Sequence, residues 1–405
     1  MPIPEPLARS VLLELVEKCR EFPALLKERS FGQRDFQCLT YGLLNDAVAD
    51  ARNTIREQLS GSPTSSACLG RLEDERSNTE HTDSQQPSIS RHPAESFPPV
   101  IGVAIELSVE YVVAVLATLS LQAIFVPLDP TWPPHRFEAV LRDFAARALL
   151  FCGAKPPAAD LAATCKLISL APVTLRAGWT AGATHGTRKE FDVRWSSLWR
   201  DTPPGAAPRL PRPHTPLVPP GEMYAEAGEI LGSRRVAYIM YTSGSTGRPK
   251  GVCGTERGIL MRCRWMEDAY PYKDAEICCL KTSPCFVDSL AELFSPLLAG
   301  VPSLLVPSRA MLDPGGFVQL LAHARVSRLV AVPFLLQAML QVLRRSSEPT
   351  SALPELRLVI SSGEALPWDT WHALKAALVP AARVINVYGC TEVAADCSFF
   401  DPDRA

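Results

Sequence analysis

YTSGSTGRPK, running from Tyr241 to Lys250 and continued by Gly251 and Val252, gathers hydroxyls, glycines and one fixed cation into a single short stretch. Gly244 and Gly247 permit a tight backbone path with positive φ, so successive N–H groups can turn toward one anion. Thr242, Ser243, Ser245 and Thr246 add hydroxyl donors, and Lys250 adds a point charge held near by Pro249. The preceding run, Val236 to Met240, is apolar enough for a buried strand, so the pattern is a polyphosphate cradle leaving a sheet. A generic Ser/Gly turn is the alternative, although such turns rarely combine this hydroxyl density with a Pro-Lys-Gly exit. The spacing is not that of a Walker A loop: Lys250 lies three residues beyond Gly247 and no hydroxyl follows it.

Outward from this loop, strand and helix patterns alternate. Val100 to Ala104 reads as a buried strand, and Arg136 to Phe151 as a helix followed by another strand. Beyond Lys250 the pattern predicts a helix through Trp265, a strand near Ile277 to Leu280, a helix over Leu290 to Leu298 and a strand at Ser303 to Val306. Leu329 to Val332, Leu335 to Leu343, Leu356 to Ile360 and Val384 to Val387 continue it. Toward the N-terminus, Leu39-Thr40-Tyr41 reads as a strand end turning into a helix. Val11, Leu12, Leu15 and Val16, interrupted by charges, fit an amphipathic helix and not a signal peptide. Two stretches break the pattern. Residues 60–99 are rich in Ser, Thr, Gln, Pro and mixed charge and read as a disordered insertion; residues 202–220 read as a Pro-rich surface loop.

Composition narrows the function class. With 41 basic against 43 acidic residues there is no electrostatic footprint for nucleic acid. Tyr111 to Leu128 approaches membrane-span length, but Gln122 interrupts it and Pro127 and Asp129-Pro130 end it. A buried helix running into a strand is preferred to a span. The 12 cysteines show no C-x-x-C pair and no His partner at zinc spacing, so reduced buried thiols in a cytoplasmic protein are expected. Cys253 is expected to be a packed thiol, and Arg344-Arg345 a solvated helix end.

The Tyr241–Lys250 run closely resembles the phosphate loop of the adenylate-forming superfamily, which comprises acyl-CoA synthetases, luciferases and the adenylation domains of nonribosomal peptide synthetases. LTY at Leu39 to Tyr41, VPLDP at Val126 to Pro130, SSGEAL at Ser361 to Leu366 and NVYGCTE at Asn386 to Glu392 resemble further segments in the expected order. In the last, Cys390 replaces the usual proline. The resemblance implies an α/β adenylate-forming N-terminal core, with parallel sheets flanked by helices in stacked subdomains, across residues 1–405. It implies ATP and Mg²⁺, with Ser362, Gly363 and Glu364 near the nucleotide. Asn386 would meet the base edge, Tyr388 would stack on adenine, and Gly389 would let the backbone turn beneath it. Lys250 and Thr391 would contact phosphate and Glu392 would ligate the metal.

The acid substrate is suggested by CFVDSLAELF, Cys285 to Phe294, which resembles the peptide-synthetase segment F-D-x-S-V-x-E-I-F. In that register the usual α-amino acid-binding position is Val287, and Asp288 follows it. The remaining pocket positions fall on Ala291, Ile360, Ser362, Val387, Ala395 and Asp396, a set resembling pockets that select β-alanine. Asp288 and Asp396 are expected to clamp one ammonium through charge-assisted hydrogen bonds. Misregistration by one residue would instead make them solvated acids. The implied activity is formation of β-alanyl-AMP, then transfer to a phosphopantetheine or CoA thiol, with a carrier domain in cis or in trans. An acyl-CoA or aryl-acid ligase and a non-catalytic nucleotide-binding remnant are the alternatives. No downstream Y-x-T-G-D segment or catalytic-lysine domain follows NVYGCTE, so a fragment incomplete at its C-terminus is expected, or else a degenerate domain.

Overall fold

The computed structural model describes residues 23–28, 36–60, 98–153, 156, 165–171, 173, 235–243, 249–273, 276–345 and 349–404. The candidate N-terminal helix, nearly all of the 60–99 insertion, the 202–220 loop and residues 244–248 of the phosphate loop lie outside them.

Fourteen strands among the described residues form two sheets. The smaller contains β3 (Val100–Ala104), β4 (Ile124–Pro127), β5 (Ala148–Cys152), β6 (Lys166–Leu170), β7 (Val236–Thr242) and β8 (Lys250–Thr255), in the order β6-β5-β3-β4-β7-β8. The larger joins β1 (Pro23–Glu28), β2 (Phe36–Thr40), β9 (Cys278–Leu280), β10 (Ser303–Leu305), β11 (Arg328–Ala331), β12 (Leu358–Ser361), β13 (Arg383–Cys390) and β14 (Ala395–Phe400), in the order β14-β13-β12-β11-β9-β10-β1-β2. The expected α/β class is observed, but the sheets are mixed. β1/β2, β7/β8 and β13/β14 pair antiparallel, and the other neighbours run parallel. Each antiparallel pair is joined by a connection too short to carry a crossover, so the chain can only fold straight back.

Helices α1 (Tyr41–Ser60), α2 (Val109–Ser120), α3 (Pro134–Asp143), α4 (Glu256–Ala269) and α5 (Asp288–Leu298) supply the packing around the sheets. The long apolar run resolves as α2 followed by β4, as its breakers predict. Ser108 caps α2 by accepting from the Tyr111 amide, and Gln122 turns the chain with φ 59 before β4. No helix among the described residues is long and apolar enough to cross a membrane.

One buried cluster takes residues from both sheets: Ile101, Phe125 and Tyr238 from one, Leu280 and Leu305 from the other, with Val113 of α2 and Leu290 and Leu293 of α5. Burying such side chains contributes roughly 1.5–3 kcal/mol each against leaving them exposed. The Tyr41 hydroxyl donates to the Leu297 carbonyl at 2.8 Å, which fixes the LTY run against the end of α5. The sheets are thus joined through the helices that carry the pocket residues.

The thiols divide by position. Cys165, Cys263, Cys278 and Cys279 are buried and outside any disulfide, and burial pushes Cys263 up to about 11. Cys253 corrects the packed-thiol expectation: it is exposed, because β8 is the outer strand of its sheet and presents one face outward. Arg344 and Arg345 are exposed at the end of the Pro333–Leu343 helix, as expected.

Candidate active site

The phosphate-loop sequence is the tip of the β7/β8 hairpin. Thr242 is the register partner of Lys250, so the two ends of the loop stand side by side. The Tyr241 hydroxyl donates to Asp143 Oδ2 at 2.6 Å and ties the end of β7 to α3; burial, followed by that bond, raises its pKa and keeps it a protonated donor. Thr242 is half-buried, and Ser243 and Lys250 are exposed. Gly244, Ser245, Thr246 and Gly247 lie outside the described residues. The end of the VPLDP strand reaches the same region, with the Cys285 thiol 3.7 Å from the Pro127 carbonyl.

The larger sheet presents the other motifs at its strand ends. Strand alternation on β13 buries Val387, at 2% exposure, and leaves the Tyr388 ring 71% exposed on the opposite face. Asn386 shares the Tyr388 side of the strand, and its Oδ1 is buried with no protein hydrogen-bond partner, an acceptor available to a base edge. Gly389 has a non-local reason to be glycine: a Cβ there would overlap the Ala395 carbonyl oxygen across the β13/β14 pair. At the entry to β14, Ala394 and Ala395 have φ of 61 and 93, a bend that is strained for residues with a Cβ.

These contacts separate two roles. Tyr388→Ala is expected to weaken ATP binding by about 5- to 150-fold, the range of base–aromatic stacking, without lowering the thermal midpoint. Gly389→Ala is expected to lower both. Nucleotide titration and thermal unfolding of the full-length protein check this, and unchanged ATP affinity in Tyr388→Ala would remove the stacking assignment.

The turn Thr391–Val393 packs against β8, bringing Thr391 and Glu392 toward the strand that begins with Lys250. Glu392 is exposed, and the described residues contain no cluster of three or more His, Cys, Asp or Glu suited to a metal. A single carboxylate fits Mg²⁺ that takes its other ligands from phosphate and water.

Across the sheet end, Asp288 opens α5, where the helix dipole favours negative charge. It accepts a hydrogen bond from the Ser362 hydroxyl at 2.7 Å, so two of the candidate pocket residues, separated by 74 positions, are in contact. Gly363 turns away with φ 85, leaving Glu364 exposed. Val287 packs on the shared core, and Ala291 lies one turn along α5 on the Asp288 side. Ile360 and Val387 form a buried wall with Met266 and Tyr270, and Ala395 is buried beside Asp396.

Asp396 differs from its expected setting in one respect: it already has a cation. Arg262 of α4 donates from Nε to Asp396 Oδ2 at 2.5 Å, and Nη2 reaches the same oxygen. Burial raises the Asp396 pKa; Arg262 opposes that rise and the nearby Asp288 charge reinforces it. Both pocket acids therefore share one electrostatic site. Arg262 was missed by sequence reasoning. Its one signal is a charge on the buried stripe of α4, between Ile259 and Met266.

The AMP-binding enzyme family matches residues 98–405. The phosphinothricin tripeptide synthetase PhsB of Streptomyces viridochromogenes is 33% identical over 301 residues, covering 73% of this chain and 21% of that protein. The β-alanyl-bioamine nonribosomal peptide synthetase ebony of Drosophila melanogaster is 35% identical over 202 residues, covering 46% of this chain and 23% of that protein. Among solved structures, the AMPPNP-bound form of the nonribosomal peptide synthetase FmoA3 (S1046A) has the same fold, with a TM-score of 0.66 and 20% identity. That match covers 100% of this chain and 33% of the other. The chain therefore spans a minor part of the length of each.

Proposed function

Because this chain belongs to the AMP-binding enzyme family, we propose that it is the nucleotide- and acid-binding part of an enzyme that activates an amino acid, β-alanine in particular, as aminoacyl-AMP. The observation that carries the reading is Asp288 held by Ser362 at the head of α5. A β-amine lies one methylene farther from the reacting carboxylate than an α-amine, so its counter-ion belongs farther along the pocket wall. Val287 then Asp288 puts an apolar residue at the first place and the acid at the next. The relative named for β-alanyl transfer supports the same substrate.

In the proposed reaction a β-alanine carboxylate oxygen bonds to the α-phosphorus of ATP, and the bond from that phosphorus to the β-phosphate bridging oxygen breaks, releasing pyrophosphate. Such a step is carried by positioning and charge stabilisation. Asn386 and Tyr388 hold the base; the Thr242–Lys250 loop and Thr391 hold phosphate; Asp288 and Ser362 orient the amine. Bound Mg²⁺, with Glu392 as its protein ligand, would neutralise phosphate charge. Transfer to a phosphopantetheine thiol on a carrier domain is the proposed second half-reaction, with CoA as the alternative acceptor.

Amino-acid-dependent pyrophosphate exchange on the full-length protein tests the proposal with β-alanine, α-alanine, 2-aminoadipate and a medium-chain fatty acid. β-Alanine is expected to support the fastest exchange. Equal or faster exchange with the fatty acid would overturn the amino-acid reading in favour of an acyl ligase.

A further inference from the structure

The pocket holds two carboxylates and one guanidinium, all from different helices or strands, and their pairing is unequal. Arg262 and Asp396 have side chains only 7% and 6% exposed. The guanidinium also stacks over Trp265, 4.6 Å from the ring centroid, so its plane is fixed by an aromatic face on α4. Asp288 instead has a neutral hydroxyl partner, Ser362. Counting Arg262 as positive and the two acids as negative leaves one negative charge, which one substrate ammonium neutralises. Without Arg262 the same pocket would hold two uncompensated acids, a costly arrangement in a poorly solvated site.

We propose that Arg262 is a specificity-determining positioning residue: by closing Asp396 into an ion pair it leaves Asp288 as the amine's counter-ion and restricts the pocket to substrates with a single ammonium. This rests on the amino-acid reading above and refines it. The clamp of two acids on one amine is replaced by an acid that binds and a salt bridge that sets the local charge. Arg262 Nη1, buried with no protein acceptor, is held in place by the other two guanidinium nitrogens and the Trp265 ring. Lysine would keep the charge but lose this planar fork.

The test compares wild type, Arg262→Gln, Arg262→Lys, Asp396→Asn, Asp288→Asn and the double variant Arg262→Gln/Asp396→Asn in the full-length protein. Pyrophosphate exchange is read with β-alanine and with 2,3-diaminopropionate, taking KM for the amino acid and for ATP separately. Arg262→Gln is expected to shift the ratio of KM values from β-alanine toward the diamine at least about tenfold, because the freed acid accepts a second ammonium. Arg262→Lys keeps the monoamine preference. The double variant keeps β-alanine KM within about fivefold of wild type and restores the monoamine preference, since both charges of the closed pair are removed together. KM for ATP stays the same throughout. Thermal unfolding accompanies each variant; if Arg262→Gln does not fold, Arg262→Lys and the double variant decide. A rise in β-alanine KM for Arg262→Gln/Asp396→Asn equal to that for Asp288→Asn, or an unchanged amine preference without Arg262, would overturn the inference. Failure of the parent reading is seen separately, as wild-type exchange that needs no amine.

Discussion

Asp288→Ala is expected to lower kcat/KM for β-alanine by about 10²- to 10³-fold while the ATP dissociation constant stays within about threefold of wild type. The carboxylate sits at the first turn of α5 with the Ser362 hydroxyl donating to it. Removing it leaves the substrate ammonium in a pocket with no free counter-ion, because Asp396 is occupied by Arg262. Truncating one member of a charge-assisted pair costs more than the pair's net worth, since the remaining charge has lost solvent as well as its partner. Asp288→Asn separates charge from shape: it can still accept from Ser362 but carries no charge. Its loss is expected to approach that of alanine. Exchange kinetics with calorimetric ATP binding decides the matter. A parallel loss of ATP affinity would mean that Asp288 serves the nucleotide side, and retention of β-alanine activity would move the amine elsewhere.

Much of this arrangement was legible because the determinants are local. Apolar runs of strand length between helical periodicities gave β3 to β5 and β9 to β13, and the breakers in Tyr111 to Leu128 predicted a helix and then a strand. The antiparallel edges were harder to read, because direction follows from how the connection closes and not from the residues in the strand. Gly389 was visible as a glycine in a motif, yet its reason, the Ala395 carbonyl on the facing strand, appears only once β13 and β14 pair. Asp288 and Asp396 could be proposed from an ungapped comparison, whereas their environments could not. Arg262 reaches Asp396 across 134 positions, and an arginine on a helix ordinarily reads as a solvated charge with a buried stem. Cys253 failed for a related reason. Its neighbours suggest packing, and only the sheet order puts it on an outer strand.

Glu292→Ala is expected to destabilise the protein by about 3–5 kcal/mol, with a fall of several degrees in thermal midpoint. The Glu292 side chain is only 1% exposed. One oxygen accepts from the backbone amides of Lys281 and Thr282 at 2.8 and 2.7 Å; the other accepts from the Thr282 hydroxyl at 2.7 Å and lies 3.6 Å from Lys281 Nζ. Alanine would leave two amides without their acceptor and a buried ammonium with the Thr282 hydroxyl but no counter-charge, together with a cavity. Glu292→Gln is expected to cost less, since its carbonyl oxygen can take the place of the one that accepts both amides, but Lys281 still loses its counter-charge. The effect should reach the pocket as well. Glu292 lies one turn beyond Asp288 and anchors the start of the segment that leads through Val287 into α5. Loosening that segment blurs the position of Asp288, so KM for the amino acid should rise along with the stability loss. Asp288→Ala, in contrast, should raise it with little loss of stability. Denaturation midpoints measured beside exchange kinetics separate the two, and a Glu292→Ala protein as stable as wild type would show that the 281–287 segment is held by other contacts.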